Sequence, residues 1–268
     1  MEDVGDGDHS SLACIPPEAT NKAQLLIKDD GILAGVQLAL EIFKRANPAL
    51  KVEVLISEGS SVKKDDVGFI VSGPSRSILT AERLVLNCMQ RMSAIATKTH
   101  YLSSLIAGTH AVLLDTRKTT PNFRLLEKWA VLIGGGKNHR IGLYDMIMLK
   151  DNHIDMAGGH REAIIRTKDY LRATNRDLRI EVETRNLTEV NEVLSIGGVD
   201  TIMLDNMSLE DMKAAVSLIA GKYKTEASGG ITEETIRSVA ECGVDFISVG
   251  ALTHSVKSLD LSLKALNT

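Results

Sequence analysis

A concentration of residues able to carry positive charge lies in one segment, Asp115 to His153, of a chain whose formal net charge is -4. They include Arg117, Lys118, Arg124, Lys128, Lys137, His139, Arg140 and Lys150. Arg117 and Lys118 follow the apolar run AVLLD, and Lys150 closes the run MIMLK. Both are places where a buried strand hands over to a loop, which is where α/β proteins keep their chemistry. Between them, Gly134, Gly135 and Gly136 precede Lys137, Asn138, His139 and Arg140. That order predicts backbone amides and side-chain donors approaching one ligand closely. The chemistry implied is the binding of an anion with more than one charge. A solvated basic face explains most charge runs. It fits poorly here, because these cations follow apolar strands, with Thr116, Thr119, Thr120 and Pro121 beside them, instead of lining a polar helix.

A second set of residues complements the cations. Glu183 ends the run IEVE, Asp205 ends TIMLD, Ser228 ends KTEAS and Gly250 ends FISVG. Ser228, Gly229 and Gly230 are expected to lead into a helix starting near Thr232, offering bare N–H groups at a positive helix end where phosphate binds well. The loops after the last two strands, SGG and VGA, stand where barrels often build a phosphate site. Glu183 and Asp205 can take ribose hydroxyls, or a magnesium ion that accompanies a pyrophosphate. The His139–Arg140 pair suits an anion clamp, an arginine fork matching a carboxylate with an imidazole beside it.

Such residues need a scaffold that brings remote positions together. After Gly108 the chain alternates strand, loop and helix, and the last three intervals between strand ends are 22 to 23 residues, the length of one β-α repeat. A parallel sheet closed into a barrel is the expected product, with Arg117, Lys118, Lys150, Glu183, Asp205, Ser228 and Gly250 at its mouth. The first hundred residues read as an α+β unit. EDVGDGDHSSLACIPPE is expected to be a polar surface loop, and AQLLIK and ILAG two short strands around a turn. Val36, Leu40 and Phe43 mark a helix stopped by Asn47 and Pro48, and KVEVLIS and VGFIVSG read as further strands. From Ser77 to about Ala107 a helix carries the apolar stripe Leu84, Val85, Met89, Met92, Ile95 and Ala96, with Arg83 and Arg91 beside it as ordinary solvated arginines.

Composition bounds the rest. A 44% apolar and 25% charged chain is an ordinary globular one, and no run reaches the length of a membrane span. With 3% aromatics and an acidic balance there is no support for nucleic-acid binding. The acidic start lacks the features of a signal peptide, so the cytoplasm is the expected compartment. Cys14, Cys88 and Cys242, odd in number and far apart, read as reduced and structural.

In order along the chain, DTRKTTP, GGGKNHR, DMIMLKDNH, EVET, MLDNM, SGGI and VGALTHS resemble the quinolinate phosphoribosyltransferase family, also called nicotinate-nucleotide pyrophosphorylase. The likeness runs from EDVGDGDH, ahead of which the family usually has a helix, to the last segment. Asn122 stands where the family usually has Gly, a change expected to be tolerated. The resemblance implies an N-terminal α/β sandwich domain over residues 1–108, joined by a C-terminal helix at 256–268, and an incomplete, seven-stranded β/α barrel over 109–255. It also implies transfer of phosphoribose from phosphoribosyl pyrophosphate (PRPP) to quinolinate with loss of CO2, in NAD biosynthesis. By the same resemblance Arg117 and Arg140, with His139, hold the substrate carboxylates and Lys150 reaches both substrates. Arg83 would come from the partner of a homodimer, or of a hexamer built as a trimer of dimers. Lys118, Glu183, Asp205, Ser228, Gly229, Gly230 and Gly250 hold PRPP, with Mg2+ at Glu183 and Asp205 directly or through water or substrate. The residues that carry the chemistry would be Lys118, Lys150, Glu183 and Asp205. Two alternatives are a Schiff-base lyase using a strand-end lysine and a non-catalytic anion binder of similar fold, such as a molybdenum-transport accessory protein.

Overall fold

The computed structural model describes residues 2–266. The chain divides into two compact units, one of residues Met1–His100, Leu126–Gly135 and Ser255–Thr268, the other of Tyr101–Leu125 and Gly136–His254.

In the first unit, the opening segment is not all loop. The Asp8 carboxylate accepts from the Ser11 amide (3.1 Å) and caps a short helix, α1 (His9–Cys14), a local N-cap signal that satisfies one otherwise orphaned amide. Then come β1 (Thr20–Ile27), β2 (Gly31–Ile32), α2 (Val36–Ala46), β3 (Lys51–Val54), β4 (Ser61–Val62), β5 (Val67–Pro74) and the long α3 (Ser75–Leu105). β1 and β2 do not form a hairpin. β2 pairs with β4, while β1 pairs antiparallel with β5. Alternate residues Ala23, Leu25 and Ile27 of β1 are buried against Phe43 of α2 and Ile78, Val85 and Met89 of α3. Phe43 meets Phe69 edge-on at 5.9 Å. Of the expected stripe on α3, Val85, Met89, Met92, Ile95 and Ala96 are buried, whereas Leu84 is half exposed.

The second unit holds the barrel strands. They are β6 (Val112–Leu114), followed after α4 (Arg124–Ile133) by β7 (Ile147–Leu149), α5 (Asp151–Ala157), α6 (His160–Thr174), β8 (Ile180–Thr184), α7 (Leu187–Ile196), β9 (Thr201–Asp205), α8 (Leu209–Ile219), β10 (Lys224–Ser228), α9 (Ile236–Ala240), β11 (Phe246–Ser248) and α10 (Ala251–His254). The strands form one parallel sheet in the order β6-β11-β10-β9-β8-β7. They read as near-continuous apolar runs because helices cover the sheet. Six strands form where the resemblance implies seven. Beside β6 the next place is taken by Lys137 alone, which bridges Leu114 in parallel, its amide donating to the Leu113 carbonyl at 2.8 Å. The result is an incomplete barrel.

The last strand, β12 (Leu261–Ala265), replaces the expected helix at 256–268, of which residues 267 and 268 lie outside the described residues. Leu259, Leu261 and Leu263 are buried at a period of two, which suits a strand, and β12 pairs antiparallel with β1. Most of α4 also belongs to the first unit. There Glu127, fully buried, takes two bonds from Arg91, through Nε at 3.0 Å and Nη2 at 2.9 Å, so Arg91 is a core partner and not a solvated arginine. Gly134 is needed for close packing, since a Cβ on it would come within 2.5 Å of the Ala96 carbonyl of α3, and Gly135 takes the turn after α4 with φ 92.

Candidate active site

The carboxyl ends of the parallel strands surround a cavity of about 300 Å3 in the second unit. Eight of the residues singled out from the sequence line it: Arg117, Lys118, His139, Arg140, Lys150, Glu183, Asp205 and Ser228. All but His139 and Arg140 sit at, or just after, the end of a parallel strand; those two follow Lys137, the single residue that bridges the edge of β6. Gly250 adjoins them: a Cβ there would meet Lys118 Cδ at 3.0 Å and His254 at 3.1 Å, which is why a glycine lets the lysine lie flat across the chain. Thr253 Oγ1 donates to the Lys118 carbonyl at 2.8 Å and holds that loop in place.

The other cations of the basic segment do different work. Arg124 donates to Thr119 Oγ1 at 3.0 Å and to the carbonyls of Ile141 at 3.1 Å and Arg117 at 3.4 Å, tying the loop after β6 from behind. Lys128 is buried in the first unit, and Lys137 serves the sheet through its backbone. The triple glycine therefore shapes the turn and packing after α4 and does not line the cavity. Arg83 is exposed on α3 in the first unit, where it lines a separate cleft with Arg45 and Asn87. The helix expected near Thr232 starts only at Ile236 and has five residues, and the Thr232 amide already donates to Thr235 Oγ1 at 2.9 Å. Any phosphate cradle here rests on the Ser228–Gly229–Gly230 loop itself, with Gly229 at φ 91 and Gly230 at φ 60, and not on a helix dipole. A Cβ on Gly229 would collide with the Asn206 side chain.

Charge is arranged in two layers. At the rim Lys150 Nζ lies 4.0 Å from the Glu183 carboxylate, and Asp205 accepts from Asn206 Nδ2 at 2.7 Å. Burial and then the neighbouring Asp205 push the Glu183 carboxyl up, against the pull of Lys150. Deeper, Arg140 is only 7% exposed, and its side chain makes a long 3.5 Å contact to the Met146 carbonyl. Burial and then the facing Arg117 lower the Arg140 pKa, against Glu181 and Asp145. Arg117 Nε is buried and finds no acceptor. Both guanidinium groups line the same cavity, and the charge of each opposes that of the other.

His139 lies beneath them. Asp115, fully buried, accepts from the His139 amide at 2.9 Å. The His139 Nδ1 accepts from the Arg140 amide at 2.8 Å, so the ring proton sits on Nε2, which faces Glu181 Oε2 at 3.0 Å and Glu226 Oε2 at 3.6 Å. Glu181 and Glu226 are buried acids one step inside the strand ends, where the strand-end pattern does not point. Their signal was the two-residue period of a strand. Glu181 stands two before Glu183 and Glu226 two before Ser228, on the same inward faces, just as Met148 and Met203 stand two before Lys150 and Asp205. His139, Glu181 and Glu226 have the spacing of a three-ligand metal group. The tautomer argues against that use, because the Nε2 lone pair a metal would need is occupied by the proton.

A barrel with strand-end cations, two rim acids and a glycine loop for phosphate defines an enzyme class that handles phosphorylated, polyanionic substrates. Residues 8–93 match the family described as quinolinate phosphoribosyl transferase, N-terminal domain, and residues 95–264 match its C-terminal domain. The chain belongs to the quinolinate phosphoribosyltransferase family. It is 50% identical over 278 residues to the chloroplastic nicotinate-nucleotide pyrophosphorylase (carboxylating) of Arabidopsis thaliana, covering 98% of this chain and 79% of that one. It is 40% identical over 263 residues to the probable enzyme of that name from Bacillus subtilis, covering 98% and 89%. Among solved structures, NadC from Streptococcus pyogenes superposes with a TM-score of 0.93 at 39% identity, over 99% of this chain and 94% of that one. Asn122, where the family usually has glycine, has φ 62. The turn demands a left-handed residue, and asparagine is the side chain that adopts that conformation at least cost.

Proposed function

We infer that this chain transfers the phosphoribosyl group of PRPP to the ring nitrogen of quinolinate with loss of CO2, giving nicotinate mononucleotide and pyrophosphate. The observation that carries the reading is the pair of crowded guanidiniums, Arg117 and Arg140, in a buried pocket beside a phosphate-type loop. A dicarboxylate neutralises both cations at once and satisfies the open Arg117 Nε–H. Arg117 and Arg140 grip the two carboxylates, with His139 fixing the Arg140 backbone, and Lys150 sits between the two substrates. Lys118, Ser228, Gly229, Gly230 and Gly250 cradle the phosphates of PRPP. Glu183 and Asp205 face the ribose, where their charge stabilises a cation-like sugar as the ring nitrogen attacks and pyrophosphate leaves.

The mutual repulsion of Glu183 and Asp205 is the chemistry a divalent cation relieves, and magnesium bound there with PRPP would neutralise the leaving pyrophosphate. Arg83 is assigned to a partner protomer's site in a homodimer or a trimer of dimers. Three free thiols support a reducing compartment such as the cytoplasm, although the relatives from Arabidopsis and tobacco include proteins named chloroplastic and mitochondrial. Cys14 is exposed, so only Cys88 and Cys242 are core residues. Among the described residues no helix is long and apolar enough to cross a membrane.

The direct test is incubation of the purified protein with quinolinate, PRPP and magnesium, measuring pyrophosphate, CO2 and nicotinate mononucleotide. Equimolar release of all three is expected. Binding of quinolinate without pyrophosphate release would favour a non-catalytic anion binder, and borohydride trapping of Lys150 with a carbonyl compound would favour a lyase.

A further inference from the structure

The reaction inferred above leaves Glu226 without a role. Its Oε1 is buried and meets no hydrogen-bond partner, it lines the cavity, and it lies on the inward face of β10 beneath Ser228. A bare carboxylate there would repel the very dianion that Arg117 and Arg140 are arranged to hold. Four groups from four other segments face or act on it: Glu181 on β8, His139 in the loop after α4, Ser248 on β11 and Lys150 after β7. Burial and then the charge of Glu181 hold the Glu226 carboxyl well above the usual carboxylate range, outweighing Ser248 and Lys150. That environment favours the protonated carboxyl, and the unpartnered Oε1 gives its proton no acceptor within the protein.

The second half of the reaction needs such a proton. When the carboxylate next to the ribosylated nitrogen departs, the carbon–carbon bond breaks, CO2 leaves and the electron pair stays on the ring carbon. The arginines hold their protons too tightly to give them up. His139 has both ring nitrogens engaged, Nδ1 by the Arg140 amide and Nε2 by Glu181. Lys150 is half exposed at the rim and paired with Glu183. We propose that Glu226 is the general acid of the decarboxylation, delivering its carboxyl proton to the ring carbon vacated by CO2. The new C–H bond forms as the Glu226 O–H bond breaks, the pair from that bond remains on the carboxylate, and water reprotonates it once product leaves. No oxidant or reductant is involved. Glu181 is a positioning residue in this scheme, orienting His139 and keeping the proton on Glu226.

The test is rapid-quench analysis of Glu226→Gln and Glu226→Asp with quinolinate, PRPP and magnesium. Both pyrophosphate and the fate of the carboxylate are followed. Removing a general acid costs about 100-fold or more. In Glu226→Gln, CO2 release is expected to fall by about that factor. Pyrophosphate release in the first turnover falls far less, so the ribosylated dicarboxylate accumulates and is seen by mass spectrometry. Glu226→Asp retains an acid and is expected to release CO2 faster than the glutamine variant. Equal slowing of pyrophosphate and CO2 without the accumulated intermediate, or a glutamine variant as fast as the aspartate one, would overturn the assignment. Failure of the unmutated protein to release pyrophosphate would instead remove the reaction itself.

Discussion

Removing the Arg140 guanidinium separates binding from folding. In the free protein this side chain contributes little. It is 7% exposed, its bond to the Met146 carbonyl is long at 3.5 Å, and the charge is disfavoured by burial and by Arg117. Its structural link to His139 runs through the backbone amide, which Arg140→Ala leaves in place. With a dicarboxylate bound, the same guanidinium becomes one half of a desolvated, charge-assisted pair. Truncating one partner of such a pair costs about 2–5 kcal/mol. At roughly 1.4 kcal/mol per tenfold, that is about 30-fold to a few thousand-fold in Kd. Isothermal titration with quinolinate reads the loss, and a thermal melt run alongside should show little change. Nicotinate, with one carboxylate fewer, should lose less. A folded Arg140→Ala protein that binds quinolinate within about threefold of the unmutated one, under 0.7 kcal/mol or so, would refute the placement of the dianion between Arg117 and Arg140.

Three further outcomes follow from the geometry. Gly229→Ala puts a Cβ at φ 91 and against Asn206; it should cost about 1–2 kcal/mol in a denaturant titration and raise KM for PRPP more than KM for quinolinate. Asn122→Gly should change stability by less than about 1 kcal/mol and leave turnover alone, because both residues accept a positive φ. Asp245 accepts from Lys224 Nζ at 2.6 Å and from the Thr225 amide at 2.9 Å. Burial raises its pKa, but the Lys224 and Thr225 donors prevail and hold it below the usual carboxylate range. Its stabilisation is therefore present above the unfolded pKa and lost as pH falls through the folded one. Asp245→Ala should cost about 1–3 kcal/mol at neutral pH, and the gap should close on acidification below about pH 4; a gap independent of pH would exclude the carboxylate as its source.

Local pattern was enough to identify the strands of the barrel and what stands at their ends. Runs rich in apolar residues and stopped by Lys150, Glu183, Asp205 and Ser228 recur at the β-α repeat length, as parallel strands covered by helices should. The positive φ at Asn122 and the cap at Asp8 are likewise short-range matters, written in the residues on the spot. Tertiary structure decided what depends on distant neighbours. The same alternation that places Glu181 beneath Glu183 and Glu226 beneath Ser228 would serve any buried strand. Only the register of β8, β9 and β10, together with the loop carrying His139, turns those acids into one cluster. Gly134 has the local pattern of a ligand loop, but its absence of a Cβ serves the close passage of α3. The segment after Leu259 becomes a strand because β1 offers it a free edge, and a free edge is a property of the assembled sheet that no stretch of chain carries within itself.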